Sequence, residues 1–246
     1  MNDLQKRFLS NGTTPVTAVF CHGYDPNEKN WEEVVWGTPE RPGRLVRAVV
    51  ELVSGADLLV LSTSGVCLKG TSSREGEILK QFLFSNIAEI DNFRDHYGFP
   101  SNLTTESIRE IVKERTILIE TNATNTYGEL VAVGDFLSSI RRGVRSVILV
   151  SSPDHLRIPT ASAIWRISHP ELARRIFFAP CESLYSGEDA STAVILEPPA
   201  VAKIPQIRNV FGSLNDPGAM ETLGRVLDNL KDPATMERIR KALPSN

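Results

Sequence analysis

An open, mostly parallel α/β sheet with helices on both faces is the fold class this sequence predicts, and three observations predict it. Short apolar runs alternate with amphipathic stretches along most of the chain, the pattern of strand and helix units around a parallel sheet. The apolar runs lack polar alternation, as strands buried on both faces do. A chain of 246 residues with 41% hydrophobic and 23% charged content can bury one full core, so a single α/β domain spanning 1–246 is expected.

The strands are expected at Val16 to Phe20, Leu58 to Leu61, Thr116 to Ile119, Ser146 to Val150, Ile176 to Ala179 and Ala193 to Leu196. Between them, apolar residues at helical spacing predict helices at Leu45 to Val53, Glu75 to Phe84, Tyr127 to Arg141 and Ile158 to Ile167, joined by right-handed crossovers. Other helices are marked by their starts: Ser107-Ile108-Arg109-Glu110 reads as a capping box, and Asp232-Pro233 places a cap and an N1 proline before Met236 and Ile239. Leu223, Val226, Leu227 and Leu230 line one face of a further helix, expected to cover the sheet edge. Two long polar segments, Gly23 to Gly43 and Asn86 to Thr105, read as lids or insertions. Trp31 and Trp36 lie in the first, where they either anchor it by packing or meet a ligand ring.

Composition narrows the function classes. A formal net charge of -3 with interspersed signs gives no electrostatic reason for a nucleic-acid or anionic-membrane partner. Met1 to Thr14 is polar and carries no apolar run fit for a signal or a membrane span, so a cytoplasmic protein is expected. Cys21, Cys67 and Cys181 form no C-x-x-C pair, which indicates reduced thiols and neither a disulfide framework nor a zinc site.

The chemistry is expected at the carboxyl ends of the strands, where parallel sheets bind ligands. Four loops there are polar: Cys21-His22-Gly23-Tyr24-Asp25, Ser62-Thr63-Ser64-Gly65, Glu120-Thr121-Asn122-Ala123-Thr124-Asn125-Thr126, and Ser151-Ser152-Pro153-Asp154-His155. Each leads toward a helix start, whose N–H groups and dipole favour a phosphate or carboxylate. Gly23 and Gly65 allow positive φ and close backbone approach, but neither G-x-G-x-x-G nor a P-loop is present. His22 and His155 fall at strand ends where an imidazole could move a proton, while His96 and His169 read as surface or packing residues. Glu120 closes a hydrophobic strand and could accept from ligand hydroxyls or an amine. Glu75 and Glu77 suit the start of a helix by charge alone. Thr126-Tyr127-Gly128-Glu129 is a capping box that makes Thr126 a helix cap. Arg44 and Arg47 begin a helix where the dipole disfavours cations, so each calls for a compensating partner, sooner within the protein than from a ligand. Ser64 and Ser152 lack the G-x-S-x-G elbow of a serine hydrolase.

These residues together resemble the YdcF-like family, a group built on a domain of unknown function that includes the SanA-type envelope proteins. Arg44-Leu45 with Ala48 looks like the family's arginine-led helix. Thr63-Ser64-Gly65 stands where the family has a Ser-Gly-Gly turn, followed by Glu75 at the place of its acid. Glu120 with Thr124-Asn125-Thr126 is similar to the family's Glu and Ser-x-Thr segment, and Val150 to His155 resembles its Val-Thr-Ser-x-x-His segment. Departures are Cys21-His22-Gly23 in place of a glycine-rich turn, Glu129 in place of an Asn, and Ile158 where an Arg is expected, with Arg157 beside it. The resemblance implies a Rossmann-like fold, a core over about 16–180 with a C-terminal helical extension over about 181–246, and a pocket for a nucleotide-like molecule. S-adenosylmethionine is the ligand type reported in the family.

The expectation from the sequence is therefore a cytoplasmic YdcF-like protein that binds a nucleotide-like small molecule, with S-adenosylmethionine the first candidate and no metal. Ligand-binding residues would be Gly23, Arg44, Ser64, Gly65, Glu75, Glu120, Thr124, Asn125, Thr126 and Ser152, with His22 and His155 as catalytic candidates. One alternative is a metal-independent hydrolase or transferase on a phosphate- or carbohydrate-bearing substrate, with either histidine as acid or base. Another is a non-enzymatic regulatory or interaction protein that uses its two long polar segments as partner surfaces.

Overall fold

A computed structural model gives the fold and describes residues 13–99, 102–152 and 157–183, the backbone alone at 157–160. The chain divides into two compact units, Met1–Leu196 and Glu197–Asn246, and every described residue belongs to the first. The strand expected at Ala193 to Leu196, the helices expected after Leu223 and after Asp232, and His155 lie outside the described residues.

The long apolar runs form one parallel sheet. Its strands are β1 (Val16–Cys21), β4 (Leu58–Ser62), β5 (Thr116–Ile119), β6 (Val144–Ser151) and β7 (Ile176–Pro180). The spatial order is β5-β4-β1-β6-β7, with Val19 opposite Leu59 on one side and Ile148 on the other. The chain thus builds outward from β1 to one edge, then returns to build the other half. This is the Rossmann-like arrangement, and its reversal of direction places a crevice between the carboxyl ends of β1 and β6.

Helices cover both faces. Between β1 and β4 run α1 (Trp31–Val35), a short antiparallel pair β2 (Gly37–Thr38) and β3 (Arg41–Pro42), and α2 (Arg44–Val53). Between β4 and β5 run α3 (Glu75–Asn86), a 3₁₀ segment Ile87–Phe93, α4 (Arg94–Tyr97) and α5 (Thr105–Arg115). Val19, Cys21, Leu59, Leu61 and Val150 share one core with Leu45, Val49 and Leu52 of α2, Leu79 and Leu83 of α3, and Ile108 and Val112 of α5. Alternate strand residues point the other way, toward α6 (Thr126–Ser138) and α7 (Arg157–Ser168), which pack on each other. Trp165 of α7 is fully buried and donates from Nε1 to the Leu130 carbonyl of α6 at 2.7 Å. The short α8 (Pro170–Ala173) leads into β7. Among the described residues, no helix is long and apolar enough to cross a membrane.

Three expectations change, and the choice left open for the two tryptophans is settled. Gly23 to Gly43 and Asn86 to Thr105 are not plain loops: Trp31, Val34 and Val35 are buried in α1, and Ile87, Ile90 and Phe93 fall on one buried 3₁₀ face because three-residue spacing matches that helix. Trp31 and Trp36 are buried and meet the Phe82 ring edge-on at 4.8 and 6.2 Å, so packing is their role. α5 starts before the Ser107 box, because Thr104 caps it by accepting from the Ser107 amide at 3.2 Å. β7 is not buried on both faces. It is an edge strand, and Phe177 and Phe178 stay 58% and 38% exposed.

Candidate functional site

Polar groups buried in this protein gather at one rim. Among the described residues, His22, Arg44, Ser62, Thr63, Ser64, Thr126, Glu129, Ser151, Ser152 and Ser183 are buried polar residues at or beside the carboxyl ends of strands, against Thr116 and His169 elsewhere. Burying polar groups is unfavourable unless they pair, and His22, Arg44, Thr63, Glu129 and Ser152 pair across loops that are distant in sequence.

The first bridge crosses the α6 side of β1. His22 follows the last residue of β1, and its amide extends the sheet by donating to the Val150 carbonyl at 3.1 Å. Its ring is fully buried, lies 4.5 Å from the Phe20 ring, and places Nδ1 3.3 Å from Glu129 Oε2. A carboxylate partner selects the tautomer that carries its proton on Nδ1 and leaves the lone pair on Nε2. Glu129 reaches the ring because α6 begins one residue earlier than the capping box implies. Asn125, with extended backbone, is the cap and accepts from the Gly128 amide at 3.0 Å. Thr126 is thereby the first helical residue, and Glu129 is released from a capping role toward His22.

The second bridge crosses the α2 side. Arg44 is fully buried at the start of α2. Its Nε and Nη2 donate to Ser152 Oγ, each at 3.2 Å, and Nη1 donates to the Gly23 carbonyl and, at 3.5 Å, to that of His22. The guanidinium also lies 5.5 Å from the Tyr24 ring centroid. Arg44 therefore ties the loop after β1 to the loop after β6. Arg47, one turn on, pairs with Glu51 at 2.5 Å. Both arginines find partners inside the protein, as their helix-start position requires.

Glu75 makes the third bridge. A Cβ built on Gly23 would lie 1.6 Å from Glu75 Oε1, and one on Gly65 2.0 Å from Oε2. The carboxylate is thus inserted between the glycines of the first and second loops, and only residues without a side chain admit it. Gly65 also holds φ at +91°, where other residues are strained. Glu77 Oε2 accepts from the Arg74 amide at 2.8 Å at the start of α3, and Asn125 occupies that of α6.

The third loop joins the second. Thr63 Oγ1 accepts from the Thr121 amide at 2.8 Å, Gly65 donates its amide to the Ala123 carbonyl at 3.1 Å, and Arg74 Nη1 donates to the Thr121 carbonyl at 2.5 Å. Thr63, Arg74, Glu77, Glu120, Thr121 and Asn122 line an open polar depression of about 440 Å³ at the ends of β4 and β5.

The structure therefore brings His22, Gly23, Arg44, Gly65, Glu75 and Ser152 together at the carboxyl ends of the neighbouring strands β4, β1 and β6, with Glu75 between the loops after β1 and β4. Ser64 is buried beside them, its amide donating to Ser62 Oγ at 3.2 Å. Glu120 and Thr124 are exposed, and Glu120 faces the neighbouring depression. Asn125 serves as a helix cap, and Ser152 Oγ accepts from Arg44. His96 pairs with Glu182 at 2.8 Å and His169 with Asp135 at 3.1 Å, away from the crevice. Glu129 was missed as a site residue. The signal was available in Asn125, a cap at least as good as threonine, directly ahead of Thr126.

Comparison of the chain with protein-family models, curated proteins and solved structures finds no match.

The cysteines report on the same rim. Burial pushes the Cys21 thiol far up from its ordinary 9.0; the neighbouring charge of Arg44 lowers it, and Cys181, Glu129 and Glu75 raise it. Cys181 is buried as well, whereas Cys67 is exposed. One of the three thiols, Cys67, is expected to react quickly with a disulfide reagent in native protein, and Cys21 only after unfolding. Fast labelling of Cys21, mapped by mass spectrometry, would contradict the packed rim. Burial likewise raises Tyr97 from 10.0 to about 12. In both groups the native state holds a proton that the unfolded chain releases, so their effect is absent at neutral pH and lowers stability as pH rises above about 9. Urea midpoints should therefore fall between about pH 8 and about pH 10.5.

Proposed function

We propose that this is a cytoplasmic YdcF-like protein that binds a nucleotide-like small molecule, S-adenosylmethionine first among the candidates, in the crevice between the carboxyl ends of β1 and β6. The observation that carries the proposal is the set of bridges at one rim: the buried His22–Glu129 and Arg44–Ser152 pairs, and the half-buried Glu75 between its two glycines. Such a desolvated, interlocked rim at the point where strand order reverses is where this architecture takes ligands. Glu75 supplies carboxylate oxygens suited to ribose hydroxyls or an ammonium group, and a sulfonium would be favoured beside it electrostatically. Arg44 positions the loops and does not itself meet the ligand. Calorimetry with adenine nucleotides, adenosine and S-adenosylmethionine tests this; saturable binding is expected, and no binding at millimolar ligand would remove the proposal.

A second reading, a hydrolase or transferase with His22 as acid or base, is favoured by the buried carboxylate on His22 Nδ1. A base oriented by a third group is the arrangement such chemistry uses. On this reading, any hydrolytic or transfer activity found in a substrate screen should fall at least about 100-fold in His22→Ala, in line with loss of a general base. An unaltered rate in that variant would refute the role.

A further inference from the structure

We propose that the free edge of β7 is an interface for a second copy of this chain, paired strand to strand about a two-fold axis at Phe178.

β5 and β7 are the outer strands of the sheet, and they differ in cover. β5 is buried at three of its four residues, β7 at one of its five. Four large apolar side chains are exposed among the described residues, and two of them, Phe177 and Phe178, are consecutive on β7. As neighbours along a strand they lie on opposite faces of the sheet. A strand edge flanked by apolar surface on both faces is the combination that recruits another strand.

The ladder with β6 shows which backbone groups face outward. The Arg175 carbonyl accepts from the Val147 amide at 2.8 Å, and the Cys181 amide donates to the Ser151 carbonyl at 3.1 Å, so the odd-numbered residues of this stretch turn toward β6. By the two-residue period of a strand, Ile176, Phe178 and Pro180 turn to the free edge. Proline suits that position, because it has no amide to leave unpaired. An antiparallel partner centred on Phe178 uses the remaining groups in pairs. The two Phe178 residues exchange amide and carbonyl, and each Ile176 amide meets the partner's Pro180 carbonyl.

Side chains follow the same register. Phe178 stands opposite its own symmetry mate, and Phe177 lies diagonal to its mate on the other face, within reach for an aromatic ring. Arg174 is exposed and forms no ion pair among the described residues. The two-fold brings it to the end of the partner strand that carries Glu182, whose carboxylate is half exposed beside His96. The edge is thus cationic where β7 begins and anionic just after it ends. Only an antiparallel approach, the one a two-fold produces, sets those opposite charges together. Hydrogen bonds, rings and charges of β7 are therefore complementary to β7 itself.

The test is sedimentation of the full chain between about 5 and about 500 μM, a range that captures a small interface. Wild type is expected to show a monomer–dimer equilibrium. Phe178→Lys, which sets two like charges at the axis, and Arg174→Glu, which faces Glu182 with its own sign, should each raise the dissociation constant at least about tenfold. Both side chains are exposed, so neither change opens the core. Register is read separately by a disulfide reagent on the Cys67→Ser chain. Opposed residues of a hydrogen-bonded antiparallel pair stand about 5.5 Å apart at Cα, within disulfide reach. Phe178→Cys should therefore cross-link to its mate severalfold faster than Phe177→Cys, whose mate is diagonal. A monomer at every concentration, a dimer unmoved by both charge substitutions, or equal cross-linking at the two positions would overturn the proposal.

Discussion

Arg44→Met is expected to destabilise the protein by roughly 3–5 kcal/mol, the range for breaking a buried charged network by removing one member. The side chain is fully buried, and its loss strips the buried Ser152 Oγ and the half-buried Gly23 carbonyl of their charged donor. Methionine keeps the volume, so the effect isolates the polar network from packing. Lysine should not rescue it, because one ammonium cannot reproduce a fork that serves Ser152 through two nitrogens while serving the loop carbonyls through a third. Urea midpoints measure this directly. In a double-mutant cycle, Ser152→Ala should be milder in the Arg44→Met background than in wild type, since the two share one interaction. Additive losses would mean that the bridge between the first and fourth loops is not made in solution.

Gly65→Ala is the second large effect, expected at about 1–3 kcal/mol from backbone strain alone. The residue sits at φ +91°, and its new methyl would start 2.0 Å from Glu75 Oε2. Glu75 must then leave its seat between the two glycines. The variant should therefore lose ligand affinity as well as stability, whereas Gly70→Ala, also at positive φ (+79°) but with nothing near its Cβ position, should bring strain and leave binding unchanged. Equal ligand profiles for the two variants would separate Glu75 from recognition.

The elements that were legible in the sequence share a physical reason. Strands such as Leu58–Ser62 and Thr116–Ile119 are buried on both sides and so appear as unbroken apolar runs. The 3₁₀ segment at Ile87–Phe93 was hidden because only three of its seven residues, Ile87, Ile90 and Phe93, are buried, and they stand among polar neighbours. Strand order was not legible either: nothing local to Val16–Cys21 says that it lies in the middle of the sheet. At the site, polar loops and strand-end histidine were visible, and so was the need of Arg44 for a partner. What that partner would be was not, since Ser152 lies 108 positions away. Glu75 looked like an ordinary helix-start acid, and its insertion between Gly23 and Gly65 depends on three segments meeting.

That meeting of segments is the claim on which the rest depends. It is tested most directly by amide chemical-shift mapping during titration of the wild-type chain with adenosine or S-adenosylmethionine. Gly23, Gly65, Glu75 and Ser152 are expected to shift together and saturate along one binding curve. Shifts confined to a single loop, or gathered instead around the depression that Asp91, Arg94, Leu103 and Glu106 line beside α4 and the start of α5, would contradict it.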